Sequence, residues 1–223
     1  MDNIHLLVIL YAGVAHALEA DHILAVSNIV SRRKAVLPAL KDGIFWGLGH
    51  TSTIVLIGVI VLVFKTSISE NTFSYFEAGV GLMMVIVAVM RLTKFYSERQ
   101  LTYSGQIMHG ADGPGTEVFL SSGIEDRNLH KVSYGIGLIH GLAGSGALVM
   151  LAVTQFNEVN AGMLYLLLYG LGSVAGMALV SGLFSIPFSR RLVNSPILRT
   201  ILVIISSGIC IFYGAYVVYE NLK

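Results

Sequence analysis

Apolar residues run along this chain in stretches of about 20 or more, the length a helix needs to cross a bilayer at about 1.5 Å per residue. The runs cover Ile4–Val30, Ile44–Phe64, Phe73–Leu92, Val132–Val153, Met163–Ile186 and Ile197–Tyr219. They lack the strict alternation and closely spaced turn signals of an outer-membrane barrel, so they predict helices. The expected fold class is an all-α polytopic membrane protein with six transmembrane helices.

The pattern recurs within the chain. Aligning GVAHALEADHIL (Gly13–Leu24) with GLIHGLAGSGAL (Gly137–Leu148) sets Gly13 on Gly137, His16 on His140, Leu18 on Leu142 and Leu24 on Leu148. At nearly the same offset, GLGH (Gly47–His50) lies over GLGS (Gly170–Ser173). This predicts two three-helix repeats, residues 1–92 and 132–223. An odd number of spans per unit inserts the second upside down relative to the first, an arrangement that places transporter substrate sites near the midplane between halves. Residues 93–131, rich in Gly, Ser and acidic side chains, read as a flexible cytoplasmic linker. His109 and Asp112 within it are too few ligands to predict a metal site.

Charge adds the orientation. The chain is 55% hydrophobic and 12% charged with a mean hydropathy of +0.76, where soluble domains carry about 25% charged residues. Of 14 Lys and Arg, all but Lys65 and Lys223 fall in the first, third and fifth loops or the helix ends beside them. Basic loops stay cytoplasmic, so the expectation is a cytoplasmic (inner) membrane protein with both termini extracytoplasmic. Asp2, Glu70, Glu77, Glu158 and Glu220, on the outer side, read as solvated loop ends. The first run has no basic leader and no small-residue cleavage site, so the first helix is expected to be retained. One cysteine, Cys210, excludes an intramolecular disulfide or a two-thiol relay within the chain. The expected partners are the lipid bilayer and a divalent metal ion, with no nucleic acid.

Against this apolar background, HALEADHILAVSN (His16–Asn28) puts His16, Glu19, Asp21 and His22 into the first helix. An ionised side chain at bilayer depth costs on the order of 3 kcal/mol, so such groups normally line a pathway or pair with one another. Imidazole with carboxylate suits a borderline divalent ion such as Ni²⁺, Co²⁺, Zn²⁺ or Cu²⁺. On a regular helix, however, Asp21 points away from His16, Glu19 and His22, and the two histidines stand about 9 Å apart along the axis. Either the helix unwinds between them, or Asp21 orients a histidine from behind. His50 follows Gly43, Gly47 and Gly49 and precedes Thr51, Ser52 and Thr53; His140 sits among Gly141, Gly144, Gly146 and Ser145. The glycines read as close helix packing, and Met83, Met84 and Met90 as core. The candidate metal set is therefore His16, Asp21, His22, His50 and His140. Glu19, Ser27, Asn28, Thr51, Ser52 and Ser145 are candidate pathway residues.

These residues resemble the nickel/cobalt transporter family and, within it, the short urease-associated membrane proteins. The H-x-x-x-x-D-H hallmark stands as His16, Asp21 and His22, followed by Asn28 and then Ser31-Arg32. A second motif, Gly-His before hydroxyl and branched residues, stands as Gly49-His50-Thr51-Ser52-Thr53-Ile54-Val55. The resemblance implies membrane transport of Ni²⁺ or Co²⁺ that depends on His16, Asp21 and His22. The metal is cargo, and no resident cofactor is expected. A cytoplasmic metallochaperone or a urease or hydrogenase maturation system would receive it. The chain departs from the family pattern at Glu19 and Ser27, where aspartates are common, and lacks the family's acidic Leu-Gly-Phe-Asp motif.

The expected function is import by alternating access around an intramembrane His/Asp site, with a metal exporter of the same fold as the alternative. An intramembrane metalloprotease would need H-E-x-x-H, whereas Ala17 follows His16 and the next histidine is six residues on. An enzyme is therefore not expected. A sulfur-anion exporter would place cations in the pathway, but the basic residues crowd the cytoplasmic ends.

Overall fold

The computed structural model describes residues 3–33, 35–65, 69–108, 129–144, 158–188 and 195–223. In these residues every regular element is helical. They form α1 (Asn3–His16), α2 (Ala20–Val30), α3 (Val36–Phe64), α4 (Glu70–Met108), α5 (129–144), α6 (Val159–Ser185) and α7 (Pro196–Leu222), with a 3₁₀ turn at Ile186–Phe188. By length and apolarity, Val36–Phe64, Asn71–Ser97, Val159–Phe188 and Ile197–Leu222 can each cross a membrane. A fifth candidate is the pair His5–His16 and Ala20–Val30, bent by 58° at the break between them. The described residues are thus all-helical, with four or five candidate spans, as fits a polytopic membrane protein. The fourth predicted span, Val132–Val153, is described only as far as residue 144.

Helix ends explain why helices outrun the apolar stretches. α3 starts at Val36, eight residues before the predicted Ile44, because Lys41 and Asp42 continue the same helix beyond lipid depth. It stops at Lys65, whose φ of 49° is the left-handed conformation that caps a helix C-terminus. α7 begins after Ser195, whose hydroxyl accepts from the Leu198 N–H. α4 continues as helix to Met108, and residues 109–128, the rest of the segment read as a linker apart from its last three residues, lie outside the described ones.

Large apolar side chains face outward on every candidate span: Leu56, Val63, Leu82, Leu171, Leu179, Ile205 and Phe212 are each more than half exposed. Such a surface suits lipid. Inward, helices meet where side chains are absent. A Cβ on Gly13 would run into the Tyr169 carbonyl of α6, and one on Gly137 into the Trp46 carbonyl of α3. Ala25, Val26, Trp46, Met84, Met177 and Cys210 belong to the main core between these helices.

At the basic end lies a buried ionic cluster. Arg33 donates to both oxygens of Asp42, and His130 of α5 lies with Nδ1 2.7 Å from Asp42 Oδ1. Arg91 of α4 donates to the hydroxyl and carbonyl of Ser31, just after α2. Arg33, Asp42 and Arg91 are all at most 4% exposed, so their charges need this pairing.

Candidate metal centre

The site begins with the break between α1 and α2. After His16 the chain makes two tight turns, Leu18 N–H to Ala15 O and Glu19 N–H to His16 O, before Ile23 N–H to Glu19 O opens α2. Glu19 holds the position before α2 in extended conformation, yet its carboxylate does not cap the helix. It reaches back instead, with Oε1 2.9 Å from His16 Nδ1. Asp21, in the first turn of α2, lies with Oδ1 2.9 Å from His22 Nδ1 and Oδ2 3.2 Å from His140 Nε2. A carboxylate near a helix N-terminus is also favoured by the helix dipole. The helix therefore breaks between His16 and His22, and Asp21 lies against both His22 and His140.

The break brings His16 beside His22, with ring centroids 4.5 Å apart, and His50 of α3 completes a triangle at 5.1 Å from His16 and 5.4 Å from His22. One ring nitrogen from each lies within 4.8 Å of the others. Nitrogens bonded to one ion at about 2.1 Å stand about 3–3.5 Å apart, so small side-chain rotations close the set. The rings are 8%, 1% and 0% exposed. His16 Nε2, His22 Nε2 and both His50 nitrogens have no hydrogen-bond partner among the described residues. Buried polar atoms are usually paired, and unpaired imidazole nitrogens converging on one point have the chemistry of a ligand set. With a carboxylate on the Nδ1 of both His16 and His22, the tautomer that leaves Nε2 free to bind is favoured. Glu19 and Asp21 also supply two negative charges to balance a divalent ion held by neutral rings.

Asp21, His22 and His140 form a second close group that shares His22. Here the carboxylate joins the two histidines, and the His140 ring lies 4.5 Å from that of His22. Trp46, one helical turn before His50, stacks on His22 at 5.4 Å and meets His140 at 5.5 Å. Tyr169 of α6 flanks His16 at 5.7 Å. Gly144 covers the triad, since a Cβ there would lie 3.3 Å from both His16 Nε2 and His50 Cε1.

The other candidates are placed elsewhere. Ser27 donates to Leu24 O, while Asn28 donates to Leu24 O and accepts from Ser207 of α7. Thr51 donates to Gly170 O, and Ser52 to Leu48 O on an exposed face. Ser145 lies outside the described residues. Trp46, Tyr169 and the Arg33–Asp42–His130 cluster were not anticipated. The spacing of Trp46 from His50, four residues on one helix face, was the available signal.

No family model matches the chain, and no solved structure matches it. Urease accessory protein UreH of Bacillus sp. strain TB-90 is 35% identical over 193 residues, covering 85% of this chain and 81% of the relative. The chain belongs to the UreH family. The high-affinity nickel transport protein of Cupriavidus necator is 33% identical over 70 residues, 30% of this chain and 19% of that relative. Both matches accord with the resemblance of the His16, Asp21 and His22 motif to the nickel/cobalt transporters.

Proposed function

We propose that the protein imports a divalent transition-metal cation, Ni²⁺ with Co²⁺ as the alternative, across the cytoplasmic membrane. The observation that carries this reading is the convergence of unpaired nitrogens from His16, His22 and His50, backed by Glu19 and Asp21. Three imidazoles with no thiolate fit nickel or cobalt. Trp46 and Tyr169 hold the rings in place, and Asp21 with His140 braces His22 from behind. The names of the two relatives, a urease accessory protein and a nickel transport protein, favour nickel and point to a urease maturation system as recipient.

Alternating access between inverted halves is the mechanism we favour, with six spans and both termini outside. Reciprocal close contacts support it. At the repeat offset, Gly13 on Tyr169 corresponds to Gly137 on Trp46, and Gly49 on Tyr134 corresponds to Gly172 on Leu10. Gly81 and Gly214 face each other's carbonyls across α4 and α7. Each half thus lays its first helix on the second helix of the other, as a two-fold axis in the membrane plane requires. We favour import over export, reading the paired ionic cluster at the basic end as the cytoplasmic side in its closed form.

Nickel accumulation by cells expressing the protein tests the reading. His22→Ala removes a ligand and the group Asp21 supports, and uptake is expected to fall to the level of cells without the protein. Unchanged uptake at normal expression would overturn the assignment.

A further inference from the structure

A cavity of about 420 Å³ lies beside the histidine triad, at the end of the molecule where α4 begins and α7 ends. Its walls carry three carboxylates from separate parts of the fold: Glu19 from the α1–α2 break, Asp21 from α2 and Glu77 from α4. His16 and Gly144 also line it. His16 is 8% exposed, and its Nε2 has no partner among the described residues. Gly144 offers no side chain over that atom, because a Cβ would lie 3.3 Å from it. His16 thus stands in the cavity wall, with its buried, unpaired Nε2 behind it and the side-chain-free Gly144 over that atom.

Size fits a hydrated ion. Six waters at about 30 Å³ each occupy roughly 180 Å³, well within the cavity. Charge fits as well, because a cleft lined by one sign raises the local concentration of the opposite ion and its association rate. Glu19 and Asp21 are already engaged with His16 and His22. Glu77, exposed and across the cavity on another helix, makes no contact with the triad and contributes to the field of the cavity.

We propose that this cavity is the antechamber in which a hydrated divalent cation is collected, with Glu77 the residue that draws it in and Gly144 the threshold it crosses, shedding water, to reach His16 and His50. The inference rests on the metal-site reading above. Glu77 is then a positioning residue for loading, not a ligand of the bound ion.

Nickel uptake against external nickel concentration, at low and high salt, together with equilibrium nickel binding by the purified protein, tests the antechamber. Glu77→Gln is expected to raise the half-saturating concentration about threefold or more at low ionic strength, with the maximal rate and the visible spectrum of the bound ion unchanged. Salt shrinks the difference, because screening acts over about 10 Å at 0.1 M. Glu77→Asp restores most of the loss, and Glu220→Gln, which removes an acid paired with Lys223 outside the cavity lining, leaves half-saturation in place. An unmoved half-saturation in Glu77→Gln, or an equal shift in Glu220→Gln, overturns the antechamber while leaving the triad intact. No nickel binding by the unaltered protein overturns the metal site and the antechamber with it.

Discussion

At the scale of single residues, Asp21 is the side chain whose position says most. It is 26% exposed, not a member of the unpaired triad, and bonded to two histidines at once. In the proposed site that geometry sets it against His22 and His140, where it holds both rings in orientation. Removing such a supporting partner typically costs about 10–100-fold in metal affinity. Asp21→Asn keeps the shape and loses the charge, so its nickel dissociation constant, measured by titration calorimetry on detergent-solubilised protein, is expected to rise by about that factor. An unchanged constant would mean the carboxylate supports neither ring. His16, Asp21, His22 and His50 could be read as candidates from the sequence because charge and imidazole stand out in an apolar run. Trp46, Tyr169 and Glu77 could not. An aromatic residue in a hydrophobic stretch looks like core, and an acid near a helix start looks like a solvated end; only their neighbours in space give them a role.

Among the elements, the broken first helix is where local and tertiary forces part. Ala17 and Leu18 are good helix formers, and no Gly or Pro stands between His16 and Asp21, so the break could be required by ligand geometry but not located by propensity. Its position coincides with the contacts of Glu19 to His16 and of Asp21 to His22 and His140. The helices outrun the apolar stretches for a related reason: apolarity marks lipid depth, whereas α3 carries on through Lys41 and Asp42 to its ionic cluster. The interhelical contacts can be tested directly. Gly13→Ala and Gly137→Ala each drive a methyl into a backbone carbonyl of a neighbouring helix, and overpacking of this kind costs about 1–3 kcal/mol. Both are expected to lower the thermal unfolding temperature in detergent by similar amounts. Gly79→Ala and Gly135→Ala, where a Cβ meets nothing within 4 Å, are expected to be neutral or slightly stabilising, since Ala is favoured over Gly in helices by about 1 kcal/mol. Equal losses at all four positions would remove the case for reciprocal packing.

Over the whole molecule, the two ends differ in chemistry. One end opens as a cavity lined by Glu19, Asp21 and Glu77; at the other, Arg33 and His130 meet on Asp42 and Arg91 bonds Ser31. The histidine triad lies between them. That asymmetry is what a carrier open to one side of a membrane requires, and in the proposed cycle the ionic cluster separates when the ion is released. Everything depends on the triad being the place where the ion rests. Anomalous diffraction at the nickel edge, from crystals of the protein soaked in Ni²⁺, tests this most directly. A peak is expected within bonding distance of His16 Nε2, His22 Nε2 and one His50 nitrogen, about 2.1 Å from each; a peak away from those three rings, or none with the ion bound in solution, would contradict a triad-bound ion.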